Sequence, residues 1–241
     1  MVRLEKKNKI ILIVIILLTL IVVGVCVYAV TKKEENVTKD GLNFQKEYSE
    51  LNGKINEYTG KENVQVDITK TNTVKYSTEE EINEMLTKGT GVIYLGFSEC
   101  PWCRTLVTSL TKVAEEKNEP IYYLDIKDIR SAFTVEDGKL INSKKGSDGY
   151  YKLLKTLDEH LSEYILADDN GNQFDTKEKR IYVPTLIAVN DGKVTDFHVG
   201  TINSQADGND ELNDSQREEL EKVITDLINS KNKEVCTDKK C

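Results

Sequence analysis

The longest uninterrupted apolar stretch of the chain runs from Ile10 to Val30 and contains no charged residue. At about 1.5 Å of rise per residue, a helix of that length crosses a hydrocarbon core of roughly 30 Å, which predicts a transmembrane helix over residues 10–30. From Thr31 the pattern loosens into Lys, Glu, Asn and Thr with scattered apolar residues, and residues 31–72 read as a spacer. Within that stretch Val64, Val66 and Ile68 alternate, as the start of a strand would, which leaves open that part of it belongs to the following domain.

Residues 73–230 carry sharper periodicities. Val74-Lys75-Tyr76 predicts a short strand, and Ser77 and Glu80 stand at the spacing of a capping box. A helix is predicted to about Lys88, with Ile82, Met85 and Leu86 as its apolar stripe and Gly89 as its stop. Gly91 to Phe97 reads as a buried strand that runs into Ser98-Glu99-Cys100-Pro101-Trp102-Cys103. Proline suits the first helical position, so a second helix is predicted from Pro101, with Leu106, Val107, Leu110 and Val113 facing a core. Ile121 to Ile126 predicts the next strand. An insertion of about residues 127–180 follows, with one helix whose apolar face is Tyr150, Leu153, Leu154, Leu157, Leu161 and Ile165. Ile181 to Val189 and Lys193 to Val199 predict two strands joined by the hairpin signal Asn190-Asp191-Gly192, with Gly200 closing the pair. The last predicted helix spans Asp214 to Ile228 on Leu220, Val223, Ile224 and Leu227, and residues 231–241 form a polar tail.

Charge decides orientation and excludes one class of partner. The chain holds 33 Lys+Arg against 41 Asp+Glu, for a net charge of −8. The acidic excess lies beyond the apolar run, which argues against a nucleic-acid-binding face. Arg3, Lys6, Lys7 and Lys9 precede that run, whereas Lys32 and Lys33 behind it are offset by Glu34 and Glu35. By the positive-inside rule residues 1–9 are a cytoplasmic basic segment and everything after Val30 lies outside. The competing reading is a cleaved signal, with Val27-Tyr28-Ala29 as a loose cleavage site, but such signals carry an apolar region of only about 7–15 residues. A lipoprotein signal would acylate Cys26, yet the preceding Val25 is bulky.

Candidate chemistry concentrates in Cys100-Pro101-Trp102-Cys103. A cysteine at a helix N-terminus faces unpaired N–H groups and the positive end of the macrodipole, so Cys100 is expected to have a lowered pKa and to attack as a thiolate. Cys103, one turn on, can then resolve a mixed disulfide on Cys100. A purely structural disulfide would gain little from so short a loop. A zinc site would need ligands beyond this pair, and His160, His198, Cys236 and Cys241 stand at no finger-like spacing, so no metal is expected. Haem attachment fails because Arg104, not histidine, follows Cys103. Glu99 opposes and Arg104 favours a thiolate on Cys100; both are expected to be solvated and to cancel in part. Trp102 reads as a half-exposed platform for substrate, and His198 as a structural histidine. Cys236 and Cys241 could pair with each other or be idle tail residues.

The succession of strand, Cys-Pro-Trp-Cys, helix, strand, Val183-Pro184, hairpin, Gly200 and closing helix resembles the thioredoxin family. The resemblance covers residues 73–230 and implies an α/β thioredoxin-like fold, a central mixed β-sheet flanked by helices, with a helical insertion. With the anchor, it is similar to membrane-tethered thioredoxin-like proteins of Gram-positive bacteria, including bacteriocin transport accessory proteins. It implies that Cys100 attacks, that Cys103 resolves, and that Pro184 is a cis proline facing the pair, where with Val183 it holds substrate backbone. Two positions depart from the family. Thioredoxins place a buried aspartate six residues before the first cysteine, where this chain has Tyr94, and a nearby lysine where it has Tyr123. The family's proton relay is therefore not visible, although thiol exchange is retained.

The expected function is a membrane-anchored extracytoplasmic thiol-disulfide oxidoreductase without a cofactor. Its expected partners are exported protein or peptide thiols and disulfides, together with a membrane or extracytoplasmic redox partner. Two alternatives stay open: a peptide-binding export or bacteriocin accessory protein with little turnover, and a redox sensor.

Overall fold

The computed structural model of the chain describes residues 18–21, 24, 37–68, 71–168 and 170–232. The basic segment 1–9, most of the Ile10 to Val30 run and the tail from residue 233, with Cys236 and Cys241, lie outside them. Among the described residues no helix is long and apolar enough to cross a membrane. The chain divides into Met1–Thr38, of which residues 18–21 and 24 are helical, and Lys39–Cys241.

In the larger unit the strands are β1 (Val74–Tyr76), β2 (Gly91–Gly96), β3 (Ile121–Asp125), β4 (Ala132–Glu136), β5 (Lys139–Lys144), β6 (Ser162–Ala167), β7 (Gln173–Arg180), β8 (Thr185–Asn190) and β9 (Lys193–Val199). The helices are α1 (Lys39–Ser49), α2 (Glu79–Lys88), α3 (Pro101–Lys117), α4 (Asp148–Thr156) and α5 (Asp214–Ser230). Five strands form a mixed sheet in the order β1-β3-β2-β8-β9. β1, β3 and β2 run parallel, with Val92 opposite Ile121, while β8 and β9 are antiparallel to their neighbours, with Ile93 opposite Ile187. Every residue of β2 is buried, as a strand covered on both faces requires.

Alternation along β2 separates two cores. Val92 and Tyr94 point to the face covered by α1, α3 and α5, where they meet Phe44, Leu106, Leu110, Leu220 and Ile224. Ile93 and Leu95 point to the face covered by α2 and α4, among Ile82, Leu86, Tyr150 and Leu153. β8 and β9 are joined by Asp191 and Gly192, both at positive φ (50° and 68°), the backbone of a two-residue hairpin. The Gly192 N–H donates to Gly89 O at 2.8 Å, tying this turn to the end of α2.

Four expectations are corrected. Residues 31–72 are not simply a spacer: α1 buries Phe44 and Tyr48 completely, and Val66 and Ile68 reach the same core. The alternation at Val64, Val66 and Ile68 does not make a strand, because the Asn52 side chain takes the place of one. It accepts from Val66 N at 3.0 Å and donates to Val66 O at 2.9 Å. The capping box uses Thr78 and Glu81, not Ser77 and Glu80, since Ser77 N still pairs with Tyr123 O at 2.8 Å and keeps the chain extended one residue longer.

The insertion is not helical alone. It holds α4, a short 3-10 turn at Asp158–His160 and the antiparallel pairs β4-β5 and β6-β7. The helical spacing that includes Leu161 and Ile165 breaks at Leu157, because Ser162–Ala167 pairs with Gln173–Arg180 instead. Tyr164 is thereby placed edge-on to Phe133, 5.7 Å between ring centroids, and beneath the Arg180 guanidinium at 4.0 Å.

Candidate active site

Cys100 ends the tight turn after β2 and is the N-cap of α3, with Pro101 in the first turn. Its own N–H donates to Phe97 O at 3.2 Å, and its sulfur takes the cap role that an oxygen usually fills, accepting from Cys103 N at 3.4 Å. Both cysteines are free thiols. Both residues are buried, Cys100 at 7 % exposed and Cys103 wholly, so of the two Cys100 lies nearer the surface.

The two thiols are driven apart electrostatically. The Cys100 pKa lies below the ordinary thiol value because the Cys103 thiol hydrogen-bonds its sulfur; the Cys103 and Trp102 N–H groups and the Arg130 charge act in the same direction, against burial. Cys103 is pushed well above the ordinary value by burial first, then by its hydrogen bond to Cys100 and the charge there, while the Phe97 backbone and the Tyr94 side chain oppose this. The two shifts favour the thiolate on Cys100 over that on Cys103.

Opposite the pair, the Val183–Pro184 peptide is cis, the isomer expected from the sequence. Pro184 is buried and Val183 half-buried, and the Cys100 thiol donates to Val183 O at 3.7 Å. Gly200 N donates to Pro184 O at 2.8 Å, so the end of β9 holds this turn in place. Trp102 is half-buried beneath Gly208, where a Cβ would come within 2.8 Å of the indole. A groove of about 470 Å³ opens beside it, lined by Trp102, Val183, His198, Ile202, Glu219 and Val223. Cys100, Cys103, Trp102, Val183 and Pro184 are thus brought to one place.

His198 rests on Thr201 O at 2.7 Å, a bond that fixes its ring at the wall of this groove. His160 stacks on Phe197 away from the cysteines, with ring centroids 5.1 Å apart. Among the described residues no cluster of three or more His, Cys, Asp or Glu stands ready to hold a metal ion.

The expectation of solvation is corrected for Arg104, whereas the Glu99 side chain stays a third exposed. Glu99 pairs with Lys127 from the start of the insertion. Arg104 is 1 % exposed and donates to Val64 O, Tyr48 O, Ser98 O and Asn52 Oδ1. The cation that does act on Cys100 is Arg130, whose guanidinium lies 4.7 Å from the Phe97 ring centroid. It comes from the insertion and has no sequence signature. Asn56 was missed as well: it donates to Glu99 O at 2.7 Å and fastens the segment after α1 to the residue before Cys100.

Beneath Cys103 the departure at position 94 acquires a geometry. The Tyr94 and Tyr48 hydroxyls lie 2.8 Å apart, Tyr94 and Cys103 are wholly buried in the same core cluster, and the Tyr94 side chain is among the groups that lower the Cys103 pKa against burial. Tyr123 stacks on Tyr94, with centroids 5.2 Å apart, and donates to Glu47 Oε1 at 2.8 Å. The carboxylate of this region therefore comes from α1 rather than from β2, and it is engaged by Tyr76 and Tyr123.

Compared with known proteins, the chain matches no protein-family model and no curated protein.

Proposed function

We propose that the protein is a thiol-disulfide oxidoreductase of thioredoxin type, exchanging disulfides with exported proteins through Cys100 and Cys103. The observation that carries this reading is the asymmetry of the pair: Cys100 caps α3 beside the cis Val183–Pro184 turn with its pKa lowered, and one turn later Cys103 is wholly buried with its pKa raised. A structural bridge or a peptide-binding groove requires no such asymmetry. The strand order β1-β3-β2-β8-β9 with helices on both faces, and the cis proline beside the first cysteine, resemble the thioredoxin fold and support the same reading.

In the proposed reaction the Cys100 thiolate attacks a substrate disulfide and forms a mixed disulfide, with one substrate sulfur leaving. The Cys103 sulfur then attacks Cys100, closes the Cys100–Cys103 bond and releases the second substrate sulfur as a thiol. An extended substrate would lie along the Val183–Pro184 turn, its sulfur at Cys100 and its side chains in the groove beside Trp102. Anchoring through residues 10–30, with the active unit outside the cytoplasm, belongs to the same proposal and rests on the charge asymmetry around that run.

The test is catalysis of insulin reduction and of scrambled-ribonuclease refolding by the full-length protein. Turnover that disappears in Cys100→Ala is the expected result. A protein that binds unfolded chains equally well with and without Cys100, and turns over neither substrate, is a binding module.

A further inference from the structure

The oxidoreductase reading leaves one difficulty at Cys103. This thiol is wholly buried, and burial penalises the thiolate that it must approach when it resolves a mixed disulfide. The position from which a thioredoxin would serve it with a carboxylate is Tyr94. That tyrosine is also wholly buried, as is Tyr48, whose hydroxyl lies 2.8 Å from its own. Each hydroxyl has one proton to donate. With Tyr48 donating to Tyr94, the Tyr94 proton is left for another acceptor, and the Cys103 sulfur lies in the same buried cluster, its pKa lowered by the Tyr94 side chain.

Packing alone does not account for this hydroxyl, since phenylalanine would fill the ring's place without bringing a polar atom into a dry core. The chain also makes room for the oxygen. Gly96 follows two residues later on the same face of β2, and a Cβ there would collide with the Tyr94 Oη, Cζ and Cε2 atoms. Phenol and missing side chain form one arrangement.

We propose that the Tyr94 hydroxyl, held by Tyr48 in the space left by Gly96, is the hydrogen-bond donor that stabilises the Cys103 sulfur as it attacks the mixed disulfide on Cys100. This rests on the oxidoreductase reading. In that step the Cys103 S–H bond breaks and the Cys103–Cys100 sulfur bond forms. The bond from Cys100 to substrate breaks, and its electron pair leaves on the substrate sulfur, which takes up the proton that Cys103 lost. The cysteine pair is oxidised and the substrate reduced. Tyr94 keeps its own proton throughout: a phenol supplies the hydrogen bond without placing a second negative charge beside the thiolate.

The experiment follows Cys103 ionisation in the full-length protein with Cys100→Ser in every arm, so that no turnover is needed, using the NMR resonance of isotope-labelled cysteine Cβ against pH. Tyr94→Phe is expected to raise the Cys103 midpoint by about one pH unit, a tenfold loss of thiolate at a given pH. Tyr48→Phe, which breaks the same tyrosine pair but leaves the Tyr94 proton in place, is expected to shift it much less. Gly96→Ala, which keeps both hydroxyls and displaces one, should resemble Tyr94→Phe and guards against a variant that fails to fold. With Cys100 intact, Tyr94→Phe should slow resolution of the mixed disulfide about tenfold and leave its formation unchanged. An unmoved midpoint in Tyr94→Phe, or equal shifts in Tyr94→Phe and Tyr48→Phe, overturns the proposal. A shifted midpoint in a protein that never forms a mixed disulfide overturns the oxidoreductase reading instead and supports the hydrogen bond.

Discussion

The Arg104 guanidinium donates to the backbone carbonyl of Tyr48 at 2.9 Å, across 56 positions of sequence. The same side chain reaches Val64 O, Ser98 O and Asn52 Oδ1, so one buried cation fastens α3 to the whole segment that precedes β1. A buried guanidinium is tolerated because carbonyl oxygens replace its water, and those oxygens in turn have lost theirs. Residues 39–68 are therefore part of the folding unit that carries the cysteines.

Removing this cation strands buried acceptors on three stretches of chain. Arg104→Leu is expected to lower stability by about 3 kcal/mol or more, read from the midpoint of urea unfolding. A chain beginning at Thr73 should lack the cooperative transition altogether. A Thr73 chain with the parent midpoint would show that α1 decorates the unit rather than completing it.

The cysteine mutants should behave asymmetrically. In Cys103→Ser the attacking sulfur has lost its resolver, so reducible high-mass adducts with exported proteins accumulate on non-reducing gels of cell membranes. Cys100→Ser should form none through Cys103, because that sulfur is wholly buried and its pKa raised. Equal trapping by the two variants would mean that the roles are assigned in the wrong order.

Arg130 gives the insertion a measurable link to the chemistry. Its charge is among the causes that lower the Cys100 pKa, while the hydrogen bond from Cys103 is the largest. Arg130→Gln should move the pH profile of Cys100 alkylation upward and slow the reaction at neutral pH about threefold, whereas Arg130→Lys should retain most of the rate. A profile that ignores both substitutions would separate the insertion from the thiolate.

Stability should fall in alkali. Burial first of all raises the phenols of Tyr48, Tyr94 and Tyr123 well above their ordinary range. A group whose folded pKa is raised contributes stability that is fully present below its unfolded pKa and is lost as pH climbs from there toward the folded value. Above about pH 10 the unfolded chain releases these three protons while the folded one keeps them, at about 1.4 kcal/mol each per pH unit, and Tyr76 and Tyr150, whose phenols burial also raises, act in the same direction. Urea unfolding at closely spaced pH values should show a falling slope, and Tyr94→Phe should reduce it by about 1.4 kcal/mol per pH unit. A flat profile would mean that these hydroxyls ionise in place.

What the sequence determined by itself is what short stretches decide. Gly91 to Gly96 is a buried strand because an apolar run bounded by turn residues fits nowhere else, and Pro101 begins α3 because its missing N–H is one that a first helical turn leaves unused. Asp191 and Gly192 turn the β8-β9 hairpin because aspartate and glycine tolerate positive φ. The cysteine pair and the Val183–Pro184 step were legible for the same reason, each being a motif of adjacent residues.

The tertiary structure alone decided the surroundings of these motifs. Residues 39–68 look polar along the chain, yet their few apolar side chains and Asn52 close a core that forms only against β2 and α3. Arg104 reads as a surface charge until four acceptors from distant segments converge on it. Leu161 and Ile165 keep helical spacing, but a strand partner in β7 outweighs a period that no cap or core sustains. Position 94 reads as one more apolar strand residue, and only the fold brings the Tyr94 hydroxyl to Tyr48 in the space left by Gly96. Local preference sets dihedral angles and periods, whereas burial and acidity depend on groups far apart in the chain that come into contact only when the sheet is assembled.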